Sequence, residues 1–98
     1  MVQIGVLNTH WAKPDKVAEA RKFMEYNGQV QSKFPGFVSR HILYSLGEPG
    51  KMVSLTIWGS KEVFDAWRAS PKRLSARADT DALWAKPPQS EQYQIAGS

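Results

Sequence analysis

Two histidines, an asparagine in a strand-like run and a tryptophan on a helix-like run are the side chains here with chemistry to offer. His10 and His41 are the side chains that titrate near neutrality, so either can serve as a general base if its face of a strand lines a pocket. Otherwise His10 is a loop-edge residue and His41 a sheet-face or interface residue. Asn8 is a type depleted in strands, which marks either a strand-end backbone contact or a pocket group. Trp67 reads as core or as the wall of a pocket between a helix and a sheet. Two histidines without a carboxylate pattern make no metal site, and none is assigned. The chain has no cysteine, so disulfide, thiolate-metal and cysteine-nucleophile chemistry are excluded. Tyr44 and Tyr93 read first as sheet side chains. No nucleophile elbow, phosphate loop or dinucleotide fingerprint occurs, which removes support for hydrolase, kinase and NAD-enzyme readings.

These residues need a scaffold, and 98 residues with 42% apolar content are expected to supply one domain, 1–98. A domain of this size buries a limited fraction of its surface, so sharing an apolar face with a second copy would help. No run approaches the ~20 apolar residues of a membrane helix, and no signal-peptide pattern opens the chain. A cytoplasmic address without a membrane partner is the expectation. The net charge is +4, with a pI near 9.6. Lys61, Arg68, Lys72, Arg73, Arg77 and Lys86 carry much of the excess but alternate with Asp65, Asp79 and Asp81. Such a balance could attract nucleic acid or merely an anionic small molecule; with the charges alternating and no recognition motif, no nucleic-acid partner is assigned.

Residues 2 to 11 alternate as a strand: Val2, Ile4, Val6, Asn8 and His10 on one face, Leu7, Thr9 and Trp11 on the other. Pro14-Asp15 opens a helix with Asp15 as its cap, and Val17, Ala20, Phe23, Met24, Asn27, Val30 and Phe34 form its buried stripe. Gly28 costs that helix roughly 1 kcal/mol against alanine, which points to close packing or a bend. Pro35-Gly36 ends it. Phe37 to Leu46 and Met52 to Trp58 make a hairpin around Gly47-Glu48-Pro49-Gly50-Lys51. His41 is placed with Phe37, Ser39 and Leu43 on one face of the first of these strands. Ser60 caps a second helix with Val63, Phe64 and Trp67 on one side, and a further turn or two runs from Pro71 to about Asp79. Pro87-Pro88 reads as a rigid connector, and Glu91 to Ala96 as the last strand. The order β-α-β-β-α-β is that of a ferredoxin-like α+β sandwich. One face of its sheet is left uncovered, an association site that a face-to-face dimeric α+β barrel would fill.

Pro35-Gly36-Phe37 after the first helix, and Trp58-Gly59-Ser60-Lys61-Glu62-Val63-Phe64-Asp65-Ala66-Trp67, carry a resemblance. With them the chain resembles the antibiotic biosynthesis monooxygenase family of small dimeric α+β barrels, which includes a haem-degrading branch. The resemblance implies a homodimer. In the haem branch, Asn8 and Trp67 would match the pocket asparagine and tryptophan, but Ala76 and Arg77 stand where the axial histidine belongs. Neither can ligate iron, so haem is kept only as an alternative cofactor. The other branch uses no cofactor and oxidises polycyclic phenols with dioxygen. It implies an aromatic, polyketide-type substrate for this chain. Asn8 and Trp67 would orient substrate and oxygen adduct, Arg77 would pair with an anion, and His10 or His41 would be the base. Trp58, Phe64 and Phe23 are further candidates for the substrate-binding wall, although Trp58, like Trp11, reads first as packing. A non-enzymatic protein that sequesters a hydrophobic ligand is the remaining reading.

Overall fold

Hydrophobic alternation and turn chemistry place most of the backbone. The structure is a computed structural model, and it describes residues 2–76 and 80–97. Its elements are β1 (Ile4–Ala12), α1 (Val17–Ser32), β2 (Phe37–Tyr44), β3 (Lys51–Trp58), α2 (Lys61–Ala69), α3 (Pro71–Ala76), a short 3-10 turn (Asp81–Leu83) and β4 (Trp84–Gln94). The four strands pair antiparallel in the order β2-β3-β1-β4, and the helices pack on one side, which is the ferredoxin-like α+β arrangement.

Register assigns the two faces. Ile4, Val6, Asn8 and His10 of β1 lie beside Trp58, Thr56, Ser54 and Met52 of β3, all on the helix-covered side. Leu7, Val53, Leu55 and Ile57 take the uncovered side. The core is built as two clusters. Val6, Trp58, Phe64 and Trp67 form one; Ala12, Ala20, Met24 and Met52 form the other. Between them runs a polar row, Ser54–Asn8–Ser90, across three neighbouring strands.

Local chemistry sets the ends of the elements. The Ser60 hydroxyl accepts from the Val63 N–H at 3.2 Å and caps α2. The Ser70 hydroxyl accepts from the Arg73 N–H at 3.2 Å and starts α3. Gly36 holds φ at +90°, and a Cβ there would come within 2.5 Å of Val63. Gly28 answers the expectation of close packing: a Cβ there would meet Arg40 Nε at 3.1 Å, because the Arg40 side chain lies across α1 at that point.

Three expectations are corrected. Helix α1 begins at Val17 with Lys16 at its cap and no side-chain cap bond, so Asp15 does not cap it. The last strand starts at Trp84, seven residues before the expected Glu91, and runs through Pro87 and Pro88. Proline is tolerated there because β4 is an edge strand, where a missing N–H can face outward. In β2 the register shifts between Phe37 and Ser39. Phe37 therefore joins the covered core, while Ser39, His41 and Leu43 take the other face; alternation counted from Phe37 is one residue out of phase beyond the bulge. No helix among the described residues is long and apolar enough to cross a membrane.

Candidate active site

The polar row and the ends of the helices line a cavity of about 260 Å³. Asn8 and His10 of β1 and Pro88 and Ser90 of β4 form its floor. Phe64, Trp67 and Arg68 of α2 and Arg73 of α3 form its roof, and Gln31 of α1 closes one side. Period-two alternation brings Asn8 and His10 to this floor, and the Asn8–Ser90 pairing sets the amide beside a hydroxyl. Helical spacing brings Phe64 and Trp67 over them.

Each aromatic wall is locked from behind. Trp67 is 2% exposed and stacks on Trp58 with ring centroids 5.9 Å apart, while Phe34 meets it edge-on at 5.4 Å. His10 is buried, and its ring lies 5.0 Å from that of Trp84. Arg68 sits over the Phe64 ring at 5.7 Å. The Arg73 guanidinium donates to the Arg68 carbonyl at 3.2 Å, which ties α3 back to the C-terminal end of α2.

Behind the cavity, Gln31 accepts a hydrogen bond at Oε1 from Arg40 Nη1. Arg40 Nη2 donates to the Met24 carbonyl at 2.8 Å, and Arg40 Nε is buried without a hydrogen-bond partner. Burial pulls the Arg40 guanidinium down to about 10, against a smaller opposing effect of Tyr44; it stays cationic at neutral pH.

The sequence candidates divide cleanly by place. Asn8, His10, Phe64 and Trp67 meet at the cavity. His41 does not: it pairs with Leu55 on the uncovered face, because of the β2 bulge. Trp58 is fully buried and donates its Nε1–H to Thr56 Oγ1 at 2.9 Å, so it backs the wall without lining it. Phe23 packs at the other end of α1, 5.9 Å from Trp84, because its place in the helix belongs to the second core cluster. Trp11 lies beneath Lys86, whose ammonium is 4.0 Å from the ring centroid. Arg77 lies outside the described residues.

Gln31, Arg68, Arg73, Pro88 and Ser90 were not expected. Gln31 had a signal: it lies four residues beyond Asn27 and seven beyond Met24, a polar side chain on the apolar stripe. Pro88 and Ser90 were hidden by reading the prolines as a connector.

Haem does not fit this cavity. Its volume lies below the ~300 Å³ at which pockets for drug-sized ligands begin, and His10, its one imidazole, is packed against Trp84. Among the described residues no group of three or more His, Asp or Glu side chains could hold a metal.

Solved structures share the fold end to end. The cofactor-independent oxygenase SnoaB of Streptomyces nogalater, in an asparagine-to-alanine variant, superposes with a TM-score of 0.85 at 17% identity, covering 98% of this chain and 95% of that one. A protein provisionally assigned as an antibiotic biosynthesis monooxygenase from Nitrosomonas europaea gives 0.88 at 18% identity, covering 97% and 91%. Another so assigned from Caulobacter crescentus gives 0.86 at 23%, covering 96% and 90%. At these identities the likeness is one of fold. No curated protein sequence matches significantly. Family membership rests instead on the sequence pattern that runs from β1 through α2 and past α3: the antibiotic biosynthesis monooxygenase family model matches residues 3–79, and the chain belongs to that family.

Proposed function

We propose that the protein is a homodimeric, cofactor-independent oxygenase that oxidises a small aromatic substrate with dioxygen. The observation that carries this reading is the meeting of Asn8, His10 and Trp67 on one cavity. The solved structure of a cofactor-independent oxygenase with the same fold supports it. The reaction needs no metal if the ring itself becomes the electron donor. His10 takes a proton from a phenol or an activated ring carbon, and the resulting anion reduces oxygen. The peroxide formed on the ring carbon loses water to leave a carbonyl. In sum, a ring CH₂ plus O₂ gives C=O plus H₂O. Asn8 and the Trp67 indole N–H supply hydrogen bonds to the oxygen anions along that path.

The dimer is part of the proposal. Leu7, Val53, Leu55 and Ile57 form an apolar strip on the uncovered sheet face, and Leu43 beside them is 55% exposed. A second copy laid on that face would bury it and leave the cavities on the outer, helix-covered sides.

Oxygen uptake measured with a panel of anthrones and hydroquinones tests the reading. Uptake above the uncatalysed rate that falls in the Asn8→Ala variant is expected. Tight ligand binding without any uptake would convert the protein into a sequestering one and end the enzymatic proposal.

A further inference from the structure

Arg40 is a largely buried cation outside every ion pair formed among the described residues, which are Lys16–Glu19, Lys51–Glu48 and Lys61–Asp65. It pairs with Thr56 on the helix-covered side of the sheet, and its side chain lies across α1 at Gly28. Glu25 lines the same outer groove without reaching it as an ion pair. The hydrogen bonds of Arg40 go to two neutral oxygens, those of the Gln31 amide and the Met24 carbonyl. A charge held in this way costs desolvation that an apolar side chain of similar length would avoid. Packing alone does not account for it.

The cation aims Gln31. An arginine only donates, so the Gln31 atom that meets it is the amide oxygen. Gln31 lines the cavity and Arg40 does not, so the oxygen is turned to the rear and the –NH₂ is left for the cavity side. Gln31 is 5% exposed, and packing holds the same rotamer. A cation on the oxygen also polarises the amide and strengthens the donor at its other end. With its oxygen engaged, Gln31 offers the cavity an N–H and no acceptor for a hydroxyl. The matching ligand atom is an oxygen that only accepts.

We infer that Gln31 is a substrate-binding residue for a ring ketone, with Arg40 as the positioning residue that fixes its amide. This rests on reading the same cavity as the substrate site, and it names the class of substrate: the keto form of an aromatic ring system with an acidic ring CH₂. The ring C–H bond breaks, its proton passes to the His10 imidazole, and the electron pair spreads through the ring onto the ketone oxygen. Gln31 donates to that oxygen in both states. The bond is stronger to the anion than to the ketone, so it favours ionisation. No electron leaves the ligand in this step; dioxygen takes it afterwards.

Equilibrium dialysis under anaerobic conditions with 1-tetralone and tetralin, which differ by C=O in place of one CH₂, measures the preference without turnover. The native chain is expected to bind the ketone at least ~10-fold more tightly, as one hydrogen bond from a polarised donor requires. Gln31→Glu keeps the side-chain length and the contact with Arg40 but puts an acceptor where the –NH₂ was. It should weaken the ketone by ~10-fold or more and leave tetralin unchanged. Arg40→Met should lose most of the preference with tetralin still bound, since the cavity walls stay and only the aim of the amide goes. Arg40→Lys should restore part of it. A merely structural Arg40 would instead weaken both ligands alike, and that pattern would overturn the inference. Equal binding of ketone and hydrocarbon by the native chain, an unchanged preference in Gln31→Glu, or no binding of either ligand would do the same. Where Arg40→Met does not fold, Gln31→Glu decides alone. Oxygen uptake on anthrones is read separately. A ketone preference without uptake would end the oxygenase reading and leave Gln31 as a ligand-binding residue; uptake with Gln31→Glu neutral in ketone binding would do the reverse.

Discussion

Asn8 is placed among polar neighbours on an otherwise apolar face, with Ser54 on one side and Ser90 on the other. That setting is what a strand must provide if an amide is to stay wet enough to act yet fixed enough to aim. Removing it as Asn8→Ala should lower kcat/KM by ~10²-fold or more, the usual loss for one donor to a developing oxyanion. His10 and His41 make the sharper contrast, since they lie on opposite faces of one sheet. His10→Gln removes the proposed base and should depress kcat across the pH range. His41→Gln should act on association instead, with turnover per dimer retained. A loss of turnover in His41→Gln equal to that in His10→Gln would place the reactive face on the wrong side.

At the scale of elements, α2 supplies most of the cavity roof, because Phe64, Trp67 and Arg68 all ride on it. Its orientation depends on its first turn and on the approach of the Pro35-Gly36 corner. Ser60→Ala removes the cap and should cost about 1 kcal/mol, read as a melting point roughly 4–8 °C lower. Gly36→Ala should cost more, since it adds a positive-φ penalty of ~1–2 kcal/mol to a collision with Val63 at 2.5 Å. Pairing it with Val63→Ala should recover the collision but not the backbone strain, so the double variant melts between the two. A double variant as stable as the parent would show that the corner relaxes freely. The exposed Lys61–Asp65 pair at 2.9 Å adds little, on the order of 0.3–0.5 kcal/mol for an i,i+4 pair.

For the whole molecule, the sheet has one finished face and one unfinished face. The helices complete the first, with the cavity in the gap between two core clusters. The second presents Leu7, Leu55 and Ile57 at its centre. Sedimentation should give a particle of twice 11.0 kDa, and Leu55→Lys should shift it to the monomer by burying a charge on an apolar face. A wild-type chain that sediments as a monomer at tens of micromolar (on the order of ordinary assay concentrations) would remove the dimer.

Periodicity was enough for what depends on near neighbours along the chain. Alternation put Asn8 with His10, helical spacing put Phe64 with Trp67, and Ser60 announced its own helix. The β-α-β-β-α-β order followed, because each element is delimited by local signals such as Pro35-Gly36. Other features belong to the assembled sheet. A single extra residue at the start of β2 turned His41 away from the cavity, and no local rule counts that residue. Pro87-Pro88 became strand because β4 lies at an edge, a position defined only once four strands are side by side. Gln31 acquired its orientation from Arg40, which reaches it across the packing of α1 on β2. Contacts between elements are set by where whole faces dock, so the walls of the cavity were legible one by one, and the cavity itself only in three dimensions.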